Sequence, residues 1–223
     1  MIDQTKRLVT KIRRELEQPT TWLFLSKLSL PFMLAGIYLG IVYLFFEWRT
    51  LYPLIGVYFF PPLGKETVIP MGVGFGVSPS LMAFSIAYVD IVVGLFFALN
   101  FDLLKKIPFL GYYIKVVEGN GRKLIRNKDW LRKFAFSGLV LLVMVPFQGS
   151  GAVTASVIGR LTGLKPMKVW LSIIIGAITG CIIIAYFTDL IIYISKINTI
   201  LAIIVLILVF LVSYMSYKKY WKN

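Results

Sequence analysis

Apolar and polar positions follow one another in long blocks along this chain, without the short periods that are typical of a soluble domain. Four uninterrupted apolar blocks are long enough to cross the roughly 30 Å hydrocarbon core of a bilayer, which takes about 20 helical residues. These predicted spans are residues 28–46, 81–101, 169–188 and 197–217. The pattern therefore predicts an all-α integral membrane protein with about four spanning helices.

Two further apolar blocks, 50–80 and 134–163, are interrupted by prolines and glycines, so neither is expected to form one straight helix. Backbone that is not helical is tolerated at membrane depth only where protein buries it or where it lines a polar cavity. Each block therefore predicts a re-entrant hairpin of two half-helices. We expect the turn of the first hairpin at LGKETVIPMG, residues 63–72, and that of the second at FQGSG, residues 147–151.

Basic residues give these elements an orientation. The net charge is +14, and Lys and Arg cluster beside the apolar blocks, which the positive-inside rule assigns to the cytoplasm. We expect a cytoplasmic amphipathic segment at 1–27, a single transmembrane domain at 28–217 and a cytoplasmic tail at 218–223. Within the domain, a basic cytoplasmic loop with interfacial helix is expected at 103–133. A multi-pass protein of the cell membrane with both termini in the cytoplasm follows.

In this topology the two hairpins enter from opposite sides, hairpin one from outside and hairpin two from inside. Each hairpin is followed by a span, so the halves predict an inverted repeat, a common plan of secondary transporters that places substrate near the midplane. The basic clusters favour membrane lipids and their anionic headgroups as partners rather than nucleic acid, for which no motif is present. The sequence leaves a homo-oligomer open.

Residue types exclude several chemistries. The chain has no histidine and a single cysteine, Cys181, which is expected to be a small packing residue. Intrachain disulfides, thiolate metal clusters and histidine-based catalysis are therefore excluded. We predict no metal site and no cofactor, and we do not expect an enzyme, since the acids are scattered and no nucleophile stands beside a base.

Two acids are candidates for coupling to an ion, either protons or sodium. Glu66 is expected at the tip of hairpin one, and Asp90 falls near the middle of the span 81–101. An ionisable group inside a membrane is costly and is by default a candidate functional residue. The alternatives are a loop glutamate paired with Lys65, and an aspartate that is satisfied structurally by a neighbouring helix.

Hairpin two supplies the candidates for substrate binding. Arg160 is a bidentate phosphate ligand by geometry, and half-helices that begin after Gly151 and after Pro70 would direct backbone N–H groups at an anion. Alternatively, Arg160 reaches the cytoplasmic interface or pairs with Asp90. Neutral hydrogen bonds and turn flexibility at the site are expected from Gln148, Gly149, Ser150, Gly151 and Thr154. Gly176 and Gly180 are expected to pack helices together.

The segments Glu66-Thr-Val-Ile-Pro70-Met-Gly72 and Val145-Pro146-Phe-Gln-Gly-Ser-Gly151, with the later Gly163-Leu164, resemble the small multidrug export protein family of archaea and bacteria. That family is a distant branch of the DedA superfamily, which includes the VTT-domain lipid scramblases. The resemblance covers roughly residues 30 to 190. It implies two opposed re-entrant hairpins and adds Pro70, Gly72 and Pro146 to the expected site.

In DedA members the family implies transport of polyprenyl-phosphate lipid carriers, coupled to the proton gradient. The chain departs from the superfamily's second motif, since Arg160 is its only available arginine. The leading hypothesis is a proton-coupled transporter or flippase for an amphipathic phosphate lipid such as a polyprenyl phosphate. The alternatives are a small multidrug exporter of cations and a structural protein of the membrane.

Overall fold

A computed structural model describes residues 19–60, 63–101, 129–146, 151–205, 207, 208 and 211. Within these residues the secondary structure is entirely helical, which confirms the predicted all-α class. Seven helices are bounded in this part of the chain: α1 (Pro19–Phe45), α2 (Trp48–Tyr58), α3 (Lys65–Gly74), α4 (Pro79–Leu99), α5 (Asp129–Met144), α6 (Ala152–Leu161) and α7 (Pro166–Ile197).

Three of these helices are long and apolar enough to cross a membrane, namely α1 from Leu25, α4 and α7. They agree with three of the four predicted spans, and the protein is a multi-pass membrane protein. The fourth predicted span, 197–217, is described only in part. Its residues 199–205, 207, 208 and 211 are helical, and Asn198 caps this stretch by accepting the Ile200 and Leu201 backbone N–H groups at 2.9 and 3.2 Å.

Two predicted boundaries fall inside helices. Residues 19–27, expected to belong to an amphipathic segment, form the beginning of α1, whose apolar span begins at Leu25, while residues 1–18 lie outside the described part. Residues 129–133, expected in the basic loop, are the first turn and more of α5, whereas 102–128 lie outside the description. In both places an apolar helix extends into polar sequence, because a helix that has already formed adds a residue at little cost.

The block 50–80 folds as a helical hairpin, α2 and α3. α2 begins beside the N-terminal end of α4 and runs inward until the Tyr58 hydroxyl reaches Asp90, near the middle of α4. α3 returns from Lys65 to Gly72, where the helix backbone packs on Met82. Both ends of this hairpin therefore lie at the N-terminal end of α4, and its tip lies halfway along that helix.

The block 134–163 folds as a second hairpin, α5 and α6. Gly159 near the end of α6 packs against Leu139 of α5 and against Val169 at the start of α7. α5 runs alongside α7 in the same direction, with Val140 beside Gly176 and Met144 beside Gly180. Both ends of hairpin two therefore lie where α7 begins. The end of α5 and the start of α6, which we call its tip, lie near the middle of α7.

The two tips approach each other from opposite ends of the molecule. α4 and α7 are antiparallel, since Ser80 lies beside Tyr186 with their hydroxyl oxygens 2.7 Å apart, and Gly94 packs on Ile173. Hairpin one enters at the N-terminal end of α4, which lies beside the C-terminal half of α7. Hairpin two enters at the N-terminal end of α7, so the two hairpins enter from opposite ends of the molecule. The opposed arrangement that the sequence predicted is thus the arrangement of the described helices.

The two halves also contain a sequence repeat, which the hydropathy pattern does not reveal. α3 and α6 both have ten residues, and the following landmarks recur at a constant spacing of 87 residues. They are the helix N-caps Gly64 and Gly151, the threonines Thr67 and Thr154, the packed glycines Gly72 and Gly159, the left-handed glycines Gly76 and Gly163, and the helix-starting prolines Pro79 and Pro166.

Equivalent residues make equivalent contacts. A Cβ at Gly72 would stand 2.4 Å from Met82, and a Cβ at Gly159 would stand 2.7 Å from Val169, the residue that occupies the position of Met82 in the second half. Gly76 and Gly163 have φ of 88° and 82°, a left-handed conformation that ends each half-helix before the next proline begins a span. The halves are therefore two copies of one hairpin-and-span unit.

Candidate functional site

Asp90 lies where the two hairpin tips meet. Its side chain is only 2% exposed, and the Tyr58 hydroxyl from α2 donates a hydrogen bond of 2.6 Å to its Oδ1. Its second oxygen, Oδ2, is buried and has no hydrogen-bond partner among the described residues. A carboxylate in this position is incompletely solvated, and a proton on Oδ2 would remove its buried charge.

The N-terminus of α6 faces the same carboxylate. Gly151 is the N-cap of α6 and Ala152 is its first residue, which is 2% exposed. A Cβ at the N-cap Gly151 would stand 3.9 Å from Asp90 Oδ1 and 3.8 Å from the Tyr58 hydroxyl oxygen. The first N–H groups of a helix lack intrahelical partners and carry partial positive charge, so an anion stabilises them. The helix end expected to bind a substrate anion therefore faces Asp90 in this structure.

Lys65, at the first position of α3, supplies the opposite charge. Its side chain is 3% exposed and its Nζ donates to the Val143 backbone carbonyl, one of the last carbonyls of α5. The Lys65 ammonium is also near enough to Asp90 to act on it electrostatically, and Cys181 of α7 lies within reach of both. The carbonyl end of a helix is stabilised by a cation, as its amide end is by an anion.

Tyr58 and Lys65 were not among the predicted site residues. Lys65 had been considered only as a surface partner of Glu66, because a lysine beside a turn normally points to water. One signal was present in the sequence. Residues 50–101 contain three charged residues, Lys65, Glu66 and Asp90, and Lys65 is the only cation among them. A buried acid near a membrane's centre calls for a counter-charge.

Glu66 lies one residue beyond Lys65, in the first turn of α3, and is half-buried. Its carboxylate folds back over Gly64, since a Cβ at that glycine would stand 2.5 Å from both carboxylate oxygens. α2 ends at Tyr58 and α3 begins at Lys65, so residues 65–72 are helical and the prediction that LGKETVIPMG forms the turn was wrong for them. Pro70 is inside α3 and no half-helix begins after it, so the expected donors there do not exist.

The prediction misjudged α3 because Pro70 was taken as a break. Proline removes one intrahelical hydrogen bond, here the bond to the Glu66 carbonyl, but in a ten-residue helix packed against α4 and α7 the remaining bonds suffice. Gly72 serves the close contact with Met82 rather than a ligand. Its role is in packing.

Arg160 lies at the other end of α6, eight residues or about 12 Å from Ala152 along the helix. Its Nη1 donates to the Leu164 carbonyl at 3.0 Å, and its guanidinium lies 5.6 Å from the centre of the Phe101 ring. The alternative in which Arg160 pairs with Asp90 is therefore excluded. α4 and α6 run in the same direction, with the Ser156 hydroxyl donating to the Gly94 carbonyl between the two ends.

The remaining candidates of hairpin two divide between the described and undescribed residues. Gln148, Gly149 and Ser150 lie outside the described part of the chain. Pro146 follows α5 and is exposed, and Thr154 is half-buried in the first turn of α6. Gly176 and Gly180 pack directly on the α5 backbone, as predicted. In the described residues no group of three or more Cys, Asp or Glu side chains could hold a metal ion.

A cavity of about 370 Å³ opens where hairpin one enters, between the end of α1, the start of α2 and the loop before α4. Its charged lining residue is Glu47, and the others are apolar, aromatic or hydroxyl-bearing. The lining is Phe45, Phe46, Glu47, Thr50, Leu51, Phe75, Gly76, Val77, Ser78 and Leu81. Glu47 makes no side-chain cap on α2. Aromatic rings around one carboxylate form surroundings that suit an organic cation.

Comparison with protein families gives one match. The family described as "Putative small multi-drug export protein" matches residues 66–183, which is more than half of the chain and includes α4, both arms of hairpin two and the first half of α7. No curated protein and no solved structure matched. The matched residues contain Asp90 and the tip of hairpin two.

Proposed function

Since the chain belongs to the small multi-drug export protein family, we propose that it is a secondary exporter driven by protonation of Asp90. The observation that carries this proposal is the position of that carboxylate, which is buried at the meeting point of two opposed hairpins with one oxygen lacking a partner. Interrupted helices that meet near the midplane are the usual site of coupling in secondary transporters. A transporter uses this geometry, whereas a structural protein has no need of it.

The proton is favoured over sodium as the coupling ion. Lys65 already contributes a positive charge beside Asp90, and a second cation would be repelled at this distance in a low dielectric. A proton forms a neutral carboxylic acid and avoids that repulsion. Both termini and the residues 103–133 are assigned to the cytoplasm in this proposal, on the distribution of basic residues.

Proteoliposomes with an imposed pH gradient test the coupling, with ethidium and tetraphenylphosphonium as transported probes. Asp90→Asn should abolish gradient-driven export while the protein still elutes and melts as the wild type does. The matched control is Asp189→Asn, the same chemical change at an exposed position of α7. Full gradient-driven export by Asp90→Asn would show that the acid is structural. Export driven by a sodium gradient in place of the pH gradient would show that sodium, and not the proton, is the coupling ion.

The cavity at Glu47 supports an amphipathic organic cation as the substrate class, the alternative that the sequence left open. Its volume of about 370 Å³ accepts a molecule of drug size, and its carboxylate complements a positive charge. The anion-binding elements expected for a phosphate lipid are engaged otherwise: the α6 N-terminus faces Asp90, and Arg160 donates to Leu164.

One observation favours the phosphate lipid as a second candidate. Arg160 lies in the last turn of α6, the exposed Lys165 caps α7 and the exposed Lys168 lies in its first turn, so three cations lie close together in sequence at the end where hairpin two enters. Such a cluster attracts anionic headgroups. A planar guanidinium binds phosphate through two parallel hydrogen bonds, which an ammonium cannot do.

Binding measurements on two variants separate these substrates. For a cation, Glu47→Gln should weaken tetraphenylphosphonium affinity at least several-fold, and Arg160→Lys should not change it. For a phosphate lipid, Arg160→Lys and Arg160→Ala should each weaken polyprenyl-phosphate affinity roughly tenfold, the loss expected for about 1.5 to 3 kcal/mol of a charge-assisted hydrogen bond. Unchanged affinity for both ligands in every variant would refute both substrate assignments.

A further inference from the structure

We propose that Lys65 and Asp90 form a charge clamp on the tip of hairpin two, and that protonation of Asp90 releases this hairpin while hairpin one stays in place. The inference rests on the proposed function and adds to it the element that moves. The clamp consists of Lys65, which donates to the end of α5, and Asp90, which lies beside the Gly151 N-cap of α6.

The first step is the electrostatics of the hairpin tip. α5 ends and α6 begins there, so unpaired carbonyls and unpaired N–H groups are brought together inside the protein. Lys65 donates to a terminal carbonyl of α5, and Asp90 Oδ1 lies beside the N-cap of α6, 3.9 Å from the position of a Cβ on Gly151. A cation on the carbonyl end and an anion on the amide end are both favourable, and each also balances the charge of the other.

The second step is the asymmetry of the repeat. Positions 87 residues after Lys65 and Asp90 are Ala152 and Ala177, which are apolar and buried. At these two equivalent positions the second half thus offers the tip of hairpin one neither an ammonium nor a carboxylate. The backbone arrangement is repeated in the two halves, but the charges at these positions belong to the first half and act on hairpin two.

The third step is the effect of a proton. The groups that face Asp90 are Tyr58 from α2, Lys65 from α3, the α6 N-terminus and Cys181 from α7; Glu66 acts on Tyr58. A protonated Asp90 no longer attracts the α6 N–H groups as an anion, and it leaves the Lys65 charge unbalanced. The attraction between Asp90 and hairpin two therefore weakens, and the unbalanced Lys65 ammonium becomes costly to keep buried against α5. Tyr58 can remain bonded to the neutral acid.

The repeat itself provides matched reporters for the test. Thr67 and Thr154 occupy the same position in α3 and α6, and both are half-buried. Single cysteines, Thr67→Cys or Thr154→Cys, are placed in the full chain carrying Cys181→Ala and reconstituted in liposomes. The rate of modification by a membrane-permeant maleimide is then measured at one fixed pH, with and without Asp90→Asn as the mimic of the protonated acid.

The clamp predicts that Asp90→Asn accelerates labelling at Thr154→Cys at least fivefold and changes labelling at Thr67→Cys less than twofold. Lys65→Gln, which removes the other half of the clamp, should have the same selective effect. An equal acceleration at both cysteines, or no acceleration at Thr154→Cys, would overturn the proposal. If Lys65→Gln does not fold, the two Asp90→Asn measurements still decide the question.

The export assay keeps this result separate from the coupling. Suppose that Asp90→Asn accelerates labelling equally at Thr67→Cys and Thr154→Cys and also abolishes gradient-driven export. The clamp would then be refuted, and Asp90 would remain the coupling residue. Selective labelling of hairpin two with export intact would keep the clamp as a structural device and remove the coupling. The two proposals can therefore fail independently.

Discussion

Asp90 is a charge that hydrocarbon cannot solvate, and its neighbours replace the water it has lost. Tyr58 donates to one oxygen, the α6 N-terminus faces the carboxylate, and Lys65 provides a counter-charge. Asp90 could be identified from the sequence, because an acid inside an apolar block is conspicuous. Its partners could not, since Tyr58 and Lys65 are ordinary in their own segments and become site residues only through contacts with distant elements.

At this scale we predict that Tyr58→Phe destabilises the protein more than a tyrosine change elsewhere. Loss of a hydrogen bond to a charged acceptor should cost about 1.5 to 3 kcal/mol, and loss of one to a neutral carbonyl about 0.5 to 1.5 kcal/mol. Tyr52→Phe is the matched control, since its hydroxyl donates to the Leu39 carbonyl at 2.7 Å. Unfolding in detergent, followed by thermal melting, measures both. Equal losses would mean that Asp90 is not charged when it accepts from Tyr58.

The two hairpins show how much can be predicted from an apolar block that prolines and glycines interrupt. Both interrupted blocks were correctly predicted to form hairpins, because proline and glycine at that density exclude one straight helix. The position of the first turn was wrong because Pro70 is tolerated inside α3, a tolerance that depends on packing against α4 and α7. The entry of hairpin two beside α7 depends on Gly176 and Gly180, whose small size was correctly assigned to packing.

We predict that Gly180→Ala separates α5 from α7 and destabilises the fold. An added Cβ would stand 2.6 Å from the Met144 carbonyl oxygen, a backbone atom that cannot turn aside, and overpacking of this kind costs typically 1 to 3 kcal/mol. Gly36→Ala on α1 is the control, because nothing lies within 4 Å of its added Cβ. That change should be neutral or stabilise by up to about 1 kcal/mol through helix propensity. A melting temperature unaffected by Gly180→Ala contradicts the contact.

Over the whole molecule, the opposed hairpins require that the residues entering them lie on opposite sides of the membrane. Single cysteines at Asn120 and Asn198, in a Cys181→Ala background, should be labelled by an impermeant reagent from opposite sides of oriented vesicles. The basic segment around residue 120 should face the cytoplasm, because positively charged loops are retained there. Labelling of both cysteines from the same side would contradict the topology. Asn120 lies outside the described residues, so this measurement also tests the orientation of a segment on which the structure is silent.

The 87-residue spacing has a consequence for the origin of the chain. One unit consists of a hairpin, which returns to the side it entered, and a single crossing by α4 or α7, so it ends on the side opposite to its beginning. The described helices also show that α5 begins at the end of the molecule where α4 finishes. A tandem duplication of a unit with an odd number of crossings produces a second copy that is upside down, by parity alone. A single unit of half this length would have to insert in both orientations to form the same arrangement, whereas one chain with two units can carry Lys65 and Asp90 in one unit only.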